Sequence, residues 1–411
     1  MFRSKKVYVM MSGGVDSSVA AACLVEQGYD VKGVFMKCWS LDALEKLGVS
    51  KDLYGCFWED DAQDAQLVAK KLGIPFEIWD FQGEYRQKVV DYMIREYRSG
   101  RTPNPDVMCN STIKFGIFYK KAIELGADFV ATGHYARMVK IENLKLKNES
   151  EFFVVSSSLI SDAARQVRES LYSNTKLIAR GLDSNKDQSY FIWGIKKEQL
   201  DHILFPVGEF ESKSKVREKA EQLDLITAKK PDSQGLCFIG QTPLRELLLQ
   251  TLGEKDGDIV DGSGRVLGRH RGSYLYTVGQ REKLGLSGGP WFVTNIDIDK
   301  NEVVVSHQDE LKPLFSSQLV ARDLNWQVNC CTPIAMQSPL DRGLKGLDKS
   351  LSEIIHCQAQ IRYRQTPENC TVEIFPDHVE VKFENPVKAV TKGQSIVFYQ
   401  GYIMLGGGVI G

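Results

Sequence analysis

Met10-Met11-Ser12-Gly13-Gly14-Val15-Asp16-Ser17-Ser18 leaves an apolar, strand-like run at residues 7–11 and opens a segment of helical spacing at residues 17–27, which Gly28 closes. Ser12, Gly13 and Gly14 permit a tight backbone turn, and Ser17 and Ser18 add hydroxyl donors. A helix start also presents unpaired N–H groups at the positive end of its dipole. Together these make a cradle for phosphate or pyrophosphate. The pattern is neither GxxxxGK[ST], whose lysine is missing, nor GxGxxG. An isolated Ser-Gly-Gly is more often a capped turn; a strand before it, a helix after it and Asp16 inside it favour the cradle.

Outward from this loop the chain alternates. Residues 31–36 read as a strand, 59–72 as a helix, 76–81 as a strand, 84–98 and 114–125 as helices and 129–132 as a short strand. Strands separated by helices predict a parallel, doubly wound α/β sheet, whose ligands sit at the carboxyl ends of its strands. The turns after Met11, Met36 and Thr132 are therefore the places to look.

The chain has 411 residues, too many for one core, since single cores stop growing near roughly 250–300 residues. Three parts are expected: the α/β domain at 1–205, a small, charge-rich helical connecting domain at 206–270, and a C-terminal β-barrel at 271–411, where short strand-like runs alternate with turn signals. Residues 143–168 are polar, weakly patterned and read as a surface insertion. Lys plus Arg is 52 against 53 for Asp plus Glu, a net charge of −1, so any polyanion must meet a local patch and not a basic surface. Nine dispersed cysteines without a CxxC pair point to neither a disulfide framework nor a zinc site, and fit reduced thiols in a cytoplasmic setting. No stretch approaches 18 apolar residues, so no membrane span is expected. Gly285-Leu286-Ser287-Gly288-Gly289 matches the hydrolase pattern GxSxG, but Pro290 follows where a helix would have to begin.

In this context SGGVDSS resembles the PP-loop of the ATP pyrophosphatases, which cleave ATP between its α- and β-phosphates. Further stretches narrow the likeness: GVFMKCW at 33–39, TPNPDVMCN at 102–110, ATGHYAR at 131–137, DSNKDQSY at 183–190, GLCFIG at 235–240, YTVGQ at 276–280 and RYR at 362–364. In this order they are similar to successive motifs of the tRNA-specific 2-thiouridylase family, and the likeness spans almost the whole chain. It implies an enzyme, a transferase that adenylates the C2 oxygen of a tRNA wobble uridine with ATP and Mg²⁺, after which sulfur from a protein persulfide displaces AMP.

The resemblance also implies roles for residues. Cys109 would be the nucleophile, Cys237 the persulfide carrier and Asp106 the acid or base. Met10, Met11, Ser12, Gly13, Gly14, Val15, Asp16 and Ser17 would hold the ATP phosphates, with Met36 beside adenine and Gly133 against the nucleotide. Asp16 is the candidate Mg²⁺ ligand, with a dipole-facing helix-start aspartate as the alternative. Asn104, Pro105 and Asp106 would border the flipped base, while His134, Lys186, Asp187, Gln188, Arg362, Tyr363 and Gln394 would touch tRNA. Lys229-Lys230 and Arg265 through Arg271 are further phosphate candidates. The implied partners are tRNA and a persulfide-donating protein, with the chain otherwise monomeric; whether Cys109 and Cys237 close a disulfide stays open.

Overall fold

The computed structural model describes residues 3–40, 58–140, 176–232, 244–328 and 353–411. The expected insertion at 143–168, together with Cys56, Cys237, Cys330 and Cys331, lies outside the described residues.

Strand β1 (Lys6–Met10) is the centre of a five-stranded sheet. It pairs in parallel with β2 (Asp30–Lys37) on one side and β4 (Phe129–Ala131) on the other. β3 (Phe76–Asp80) extends the sheet beyond β2, and β7 (Ile203–Leu204) extends it beyond β4, giving the order β3-β2-β1-β4-β7. The β1 side chains alternate between two cores. Val7 and Val9 pack with Val15 and Val19 of α1 (Val15–Glu26), Ala65 of α2 (Trp58–Leu72) and Val216 of a later helix. Tyr8 and Met10 pack on the opposite face with Met93 of α3 (residues 82–98) and Phe118 of α4 (residues 105–124). A strand buried on both faces needs apolar residues at successive positions, and each such side chain contributes about 1.5–3 kcal/mol on burial. Because β1 connects onward to β2 while β4 lies on its other side, the direction of winding reverses there, and the loop after Met10 opens at that reversal.

Helix α4 departs from the sequence expectation in a way that matters for the chemistry. It starts at Pro105, not near residue 114: Asn104 is its N-cap, accepting from Val107 N at 3.2 Å, with Pro105 at the first helical position. Asn-Pro-Asp is thus a helix-start signal. Cys109–Phe118 is wound as π-helix, and the helix closes as α over Tyr119–Glu124.

The connector holds two helices, α5 (Lys213–Gln222), capped by Ser212 and packed on α1, and α6 (Leu244–Leu252). Its last part is not helical. β8 (Gly257–Asp261) and β9 (Val266–His270) join β10 (Trp291–Asp297) and β11 (Glu302–His307) in a four-stranded sheet of order β10-β11-β8-β9. The GxSxG segment leads directly into strand β10, with no helix after it.

Six strands then close a barrel: β12 (Phe315–Trp326), β13 (Glu353–Gln360), β14 (Glu368–Ile374), β15 (Val379–Lys388), β16 (Ser395–Gln400) and β17 (Ile403–Ile410). They run β12-β15-β14-β13-β16-β17, and β12 pairs with β17 to seal the ring. A hairpin of the first domain, β5 (Ala136–Lys140) and β6 (Lys176–Arg180), docks on this barrel, with Ala179 opposite Ile403 and Arg180 N donating to Tyr402 O at 2.8 Å. β17 runs through Gly406-Gly407-Gly408, where a Cβ on Gly407 would meet the Trp193 ring at 2.7 Å. Among the described residues no helix is long and apolar enough to cross a membrane.

Candidate active site

The loop after β1 is stitched by its own hydroxyls. Ser12 N donates to Ser17 Oγ at 3.1 Å, the two serine hydroxyls lie 3.2 Å apart, and Ser17 and Ser18 hydroxyls donate to Gly14 O at 3.1 and 2.8 Å. Gly13 takes φ of +72°, where an L side chain is strained, and a Cβ there would overlap the Asp61 carbonyl at the start of α2. Gly133, just past β4, approaches the first turn of α1 so closely that a Cβ would lie 2.7 Å from both Asp16 C and Ser17 N. No side chain caps α1, whose N-cap is Gly14. A helix start left without a side-chain cap, with glycines on two sides and hydroxyls beside it, suits an anion. Met10, Met11, Val15 and Met36 are buried, Met10 and Met36 in one core of the sheet and Met11 and Val15 in the other.

Charge is concentrated beside the loop. Lys213, from the first turn of α5, donates to both Asp16 oxygens at 2.7 Å and lies 3.0 Å from Asp232. Asp232 also accepts from Lys186 at 2.8 Å and Arg217 at 2.9 Å. Partial burial by itself raises the Asp232 carboxyl, but hydrogen bonds from Lys186 and Lys213 and their charge overcome it and bring it down to about 2. Lys230 pairs with Asp61 at 2.7 Å and with Asp64. Tyr135 donates its hydroxyl to Asp16 Oδ1 at 2.7 Å. Among the described residues no group of three or more His, Cys, Asp or Glu is arranged to hold a metal ion. A single carboxylate such as Asp16, completed by phosphate oxygens, is nevertheless the ordinary protein share of a Mg²⁺–nucleotide site.

A second group of expected residues gathers at the junction of the first domain, the four-stranded sheet and the barrel. Gln394 donates to Thr102 O at 2.9 Å and Pro103 O at 3.1 Å, and Thr102 N donates to Lys392 O at 2.9 Å, so the barrel holds the chain entering Asn104-Pro105-Asp106. Arg362 donates to Val278 O at 2.6 Å and Thr391 Oγ1 at 2.8 Å. Tyr363 packs on Phe191 with ring centres 4.4 Å apart, and Phe191 O accepts from Asn110 Nδ2 at 2.9 Å. Cys109 lies on helix α4 and not on a loop, and it is fully buried.

Several expected contacts are committed inside the protein. His134 is buried with Nδ1 2.7 Å from Thr132 Oγ1, its ring beside Phe115 and Phe205; burial, with Lys114 nearby, pushes it well below the ordinary imidazole value. Asp187 accepts from Arg180 at 2.9 Å, Gly181 N and Ser189 N at 3.1 Å, and Ser189 Oγ at 3.0 Å. Gln188 exchanges hydrogen bonds with the Tyr135 backbone. Arg265, Arg269 and Arg271 pair with Asp261, Asp258 and Glu254. Sequence reasoning missed Tyr135, Lys213, Asp232 and Asn110. Tyr135 and Asn110 lie inside quoted motifs and Asp232 just before one, while Lys213 lies in none; the role of each depends on a partner brought near only by folding.

Three families match in succession: tRNA methyl transferase HUP domain over residues 5–241, tRNA methyl transferase PRC-barrel domain over 245–307 and aminomethyltransferase beta-barrel domain over 340–410. The chain is 41% identical over 412 residues to the tRNA-specific 2-thiouridylase MnmA of Pseudomonas fluorescens, covering 99% of this chain and 94% of that one. It is 42% identical over 414 residues to the protein of the same name from Photorhabdus laumondii, covering 99% and 97%. The Klebsiella pneumoniae protein of that name is 41% identical over 414 residues, covering 99% and 96%. On this full-length identity, carried through all three structural parts, the chain belongs to the tRNA-specific 2-thiouridylase family.

Proposed function

We propose that this chain is a tRNA uridine 2-sulfurtransferase: it adenylates the C2 oxygen of a wobble uridine with ATP and replaces that oxygen with sulfur from a cysteine persulfide. The observation that carries this reading is the hydroxyl-lined loop Ser12–Ser17 at the winding reversal of the sheet, in a chain aligned end to end with 2-thiouridylases. The α1 start, Ser12, Ser17 and Gly133 receive the phosphates and Met36 borders adenine; Asp16 would hold Mg²⁺, which would supply charge neutralisation for the leaving pyrophosphate.

An amide-like carbonyl is a poor electrophile until its oxygen becomes a leaving group. Uridine O2 attacks the α-phosphorus, and the α–β phosphoanhydride bond breaks to release pyrophosphate. The outer sulfur of the Cys237 persulfide then attacks C2, and the C2–O bond breaks as AMP leaves with the former uridine oxygen. The Cys109 thiolate attacks the Cys237 sulfur, so the S–S bond to the transferred sulfur breaks, its electron pair stays on the new thiocarbonyl, and a Cys109–Cys237 disulfide forms. An external thiol reductant reopens it. Asp106, one helical turn before Cys109, takes the thiol proton. Asn104 and Pro105 border the flipped base, with Gln394 fixing the strand that enters this pocket; Lys186, Asp187, Gln188, His134, Arg362 and Tyr363 form the RNA-facing surround or its support. The chain acts in the cytoplasm as a monomer apart from tRNA, taking sulfur from a persulfide-bearing protein. Dispersed cysteines without a disulfide framework support that compartment.

Mass spectrometry of tRNA from cells lacking the protein tests the reading, the expected result being loss of 2-thiouridine at the wobble position. With purified protein, ATP, Mg²⁺, tRNA and a persulfide donor, Cys109→Ser and Cys237→Ser are each expected to lower 2-thiouridine formation at least 100-fold, on the order expected for loss of a nucleophile that works as part of a unit. Full thiolation by both variants would remove the cysteine relay.

A further inference from the structure

Tyr135 is nearly fully buried, yet all its polar groups are engaged by the two candidate ligand sites. Its hydroxyl donates to Asp16 Oδ1 at 2.7 Å in the nucleotide loop. Its backbone N–H donates to Gln188 Oε1 at 3.0 Å, and its carbonyl accepts from Gln188 N at 2.8 Å. The clamp leaves little slack, because a Cβ on Gly181 would lie 2.9 Å from the Tyr135 carbonyl oxygen. The phenol is thus a rigid arm held by the 186–188 motif and ending on the loop aspartate. Asp16 has a second partner in Lys213, whose Nζ lies 2.7 Å from both of its oxygens. The ammonium alone would allow the carboxylate to swing; the phenol fixes which oxygen faces which way.

We infer that Tyr135 is a positioning residue that orients Asp16 for the nucleotide and ties that orientation to the Lys186-Asp187-Gln188 motif, so that occupancy of the RNA site and of the nucleotide site are coupled through one side chain. This rests on the proposed reading of the loop as the ATP site and of residues 186–188 as part of the RNA site. Coupling of this kind is reciprocal: tRNA must tighten nucleotide binding by the same factor that nucleotide tightens tRNA binding.

The test is equilibrium binding of a non-hydrolysable ATP analogue, with Mg²⁺, to the full chain, with and without unmodified tRNA. Tyr135→Phe keeps the ring and removes only the hydroxyl. The expected result is about tenfold weaker nucleotide binding, equivalent to about 1.4 kcal/mol, and loss of the tightening by tRNA that the wild-type chain shows, with tRNA affinity in the absence of nucleotide unchanged. Gln188→Leu, which removes the acceptor of the Tyr135 N–H and leaves the phenol and the Gln188 N to Tyr135 O bond in place, is expected to weaken the mutual tightening as well, and it serves as the readout if Tyr135→Phe does not fold. Wild-type nucleotide affinity and wild-type coupling in the folded Phe variant, or unchanged coupling in Gln188→Leu, would overturn the inference. Binding separates this outcome from the wider reading: a wild-type chain that binds the analogue but makes no 2-thiouridine contradicts the proposed reaction and leaves the role of Tyr135 to be decided by the affinities.

Discussion

Gly133→Ala is the sharpest single-atom test of the nucleotide loop. The added methyl would lie 2.7 Å from Asp16 C and Ser17 N, and 3.0 Å from Asp16 Cβ, where ordinary contact begins at 3.4 Å. Two of these three atoms are backbone, so no rotamer relieves the overlap, and either the β4 end or the first turn of α1 must retreat by about 0.7 Å. Overpacking of this kind costs about 1–3 kcal/mol of stability, visible as a lower urea midpoint at constant slope. The functional loss should be larger than the stability loss implies. A shift on the order of 1 Å in a positioning element costs about 100-fold in rate, and here the displaced groups are the amides and hydroxyl of the phosphate cradle. Pyrophosphate release with tRNA and ATP should therefore fall by about 10- to 100-fold, with the KM for ATP raised. A Gly133→Ala protein with wild-type stability and wild-type ATP kinetics would refute the placement of this strand end against the helix start.

Two further changes probe the supports of the site. Asp232→Asn removes the carboxylate shared by Lys186, Lys213 and Arg217; since a folded-state carboxyl near 2 contributes stability above the unfolded value and loses it as pH falls through about 2, the variant should be less stable at neutral pH, by about 1 kcal/mol after discounting for solvent screening. Its deficit should shrink between about pH 4 and 2, read by denaturant titration at each pH. Asn104→Ala deletes the cap of α4 and should cost about 1 kcal/mol, while Asn104→Asp should recover most of it, both measured by thermal unfolding.

The parts of this fold that were legible in the sequence are those where local pattern and tertiary environment agree. Val7 through Met10 is apolar at successive positions because both faces of β1 are covered, and Gly28 ends α1 with φ of +82°, as its position after a helical run announces. The failures have physical causes too. Asn104-Pro105-Asp106 carries N-cap and first-position chemistry, but weighing it as a base-binding loop hid the helix start and with it the burial of Cys109. Gly406-Gly407-Gly408 reads as a breaker until Trp193, more than two hundred residues earlier, is known to lie on the strand. Tyr135 and Lys213 were invisible for the same reason: their significance is a contact with Asp16, and sequence separation carries no record of it.

The near-zero net charge takes on a more specific meaning once the pairs are located. Arg265, Arg269 and Arg271 on the β8–β9 face are largely exposed, yet each lies against a carboxylate, Asp261, Asp258 or Glu254. Exposed pairs of this sort contribute at most about 1 kcal/mol each, so an RNA phosphate that approaches can draw the guanidinium away at small cost. The carboxylate then left behind repels the same phosphate, and the gain from each arginine is smaller than from an unpaired one. Near the nucleotide loop the same arrangement is tighter, with Lys213 and Lys230 each between two aspartates and partly shielded from water. A surface built this way attracts polyanions weakly at long range. On the proposed reading, recognition falls to the junction where Gln394 holds the chain entering Asn104 and Tyr363 packs on Phe191, and affinity there should depend on fit to a base more than on backbone charge.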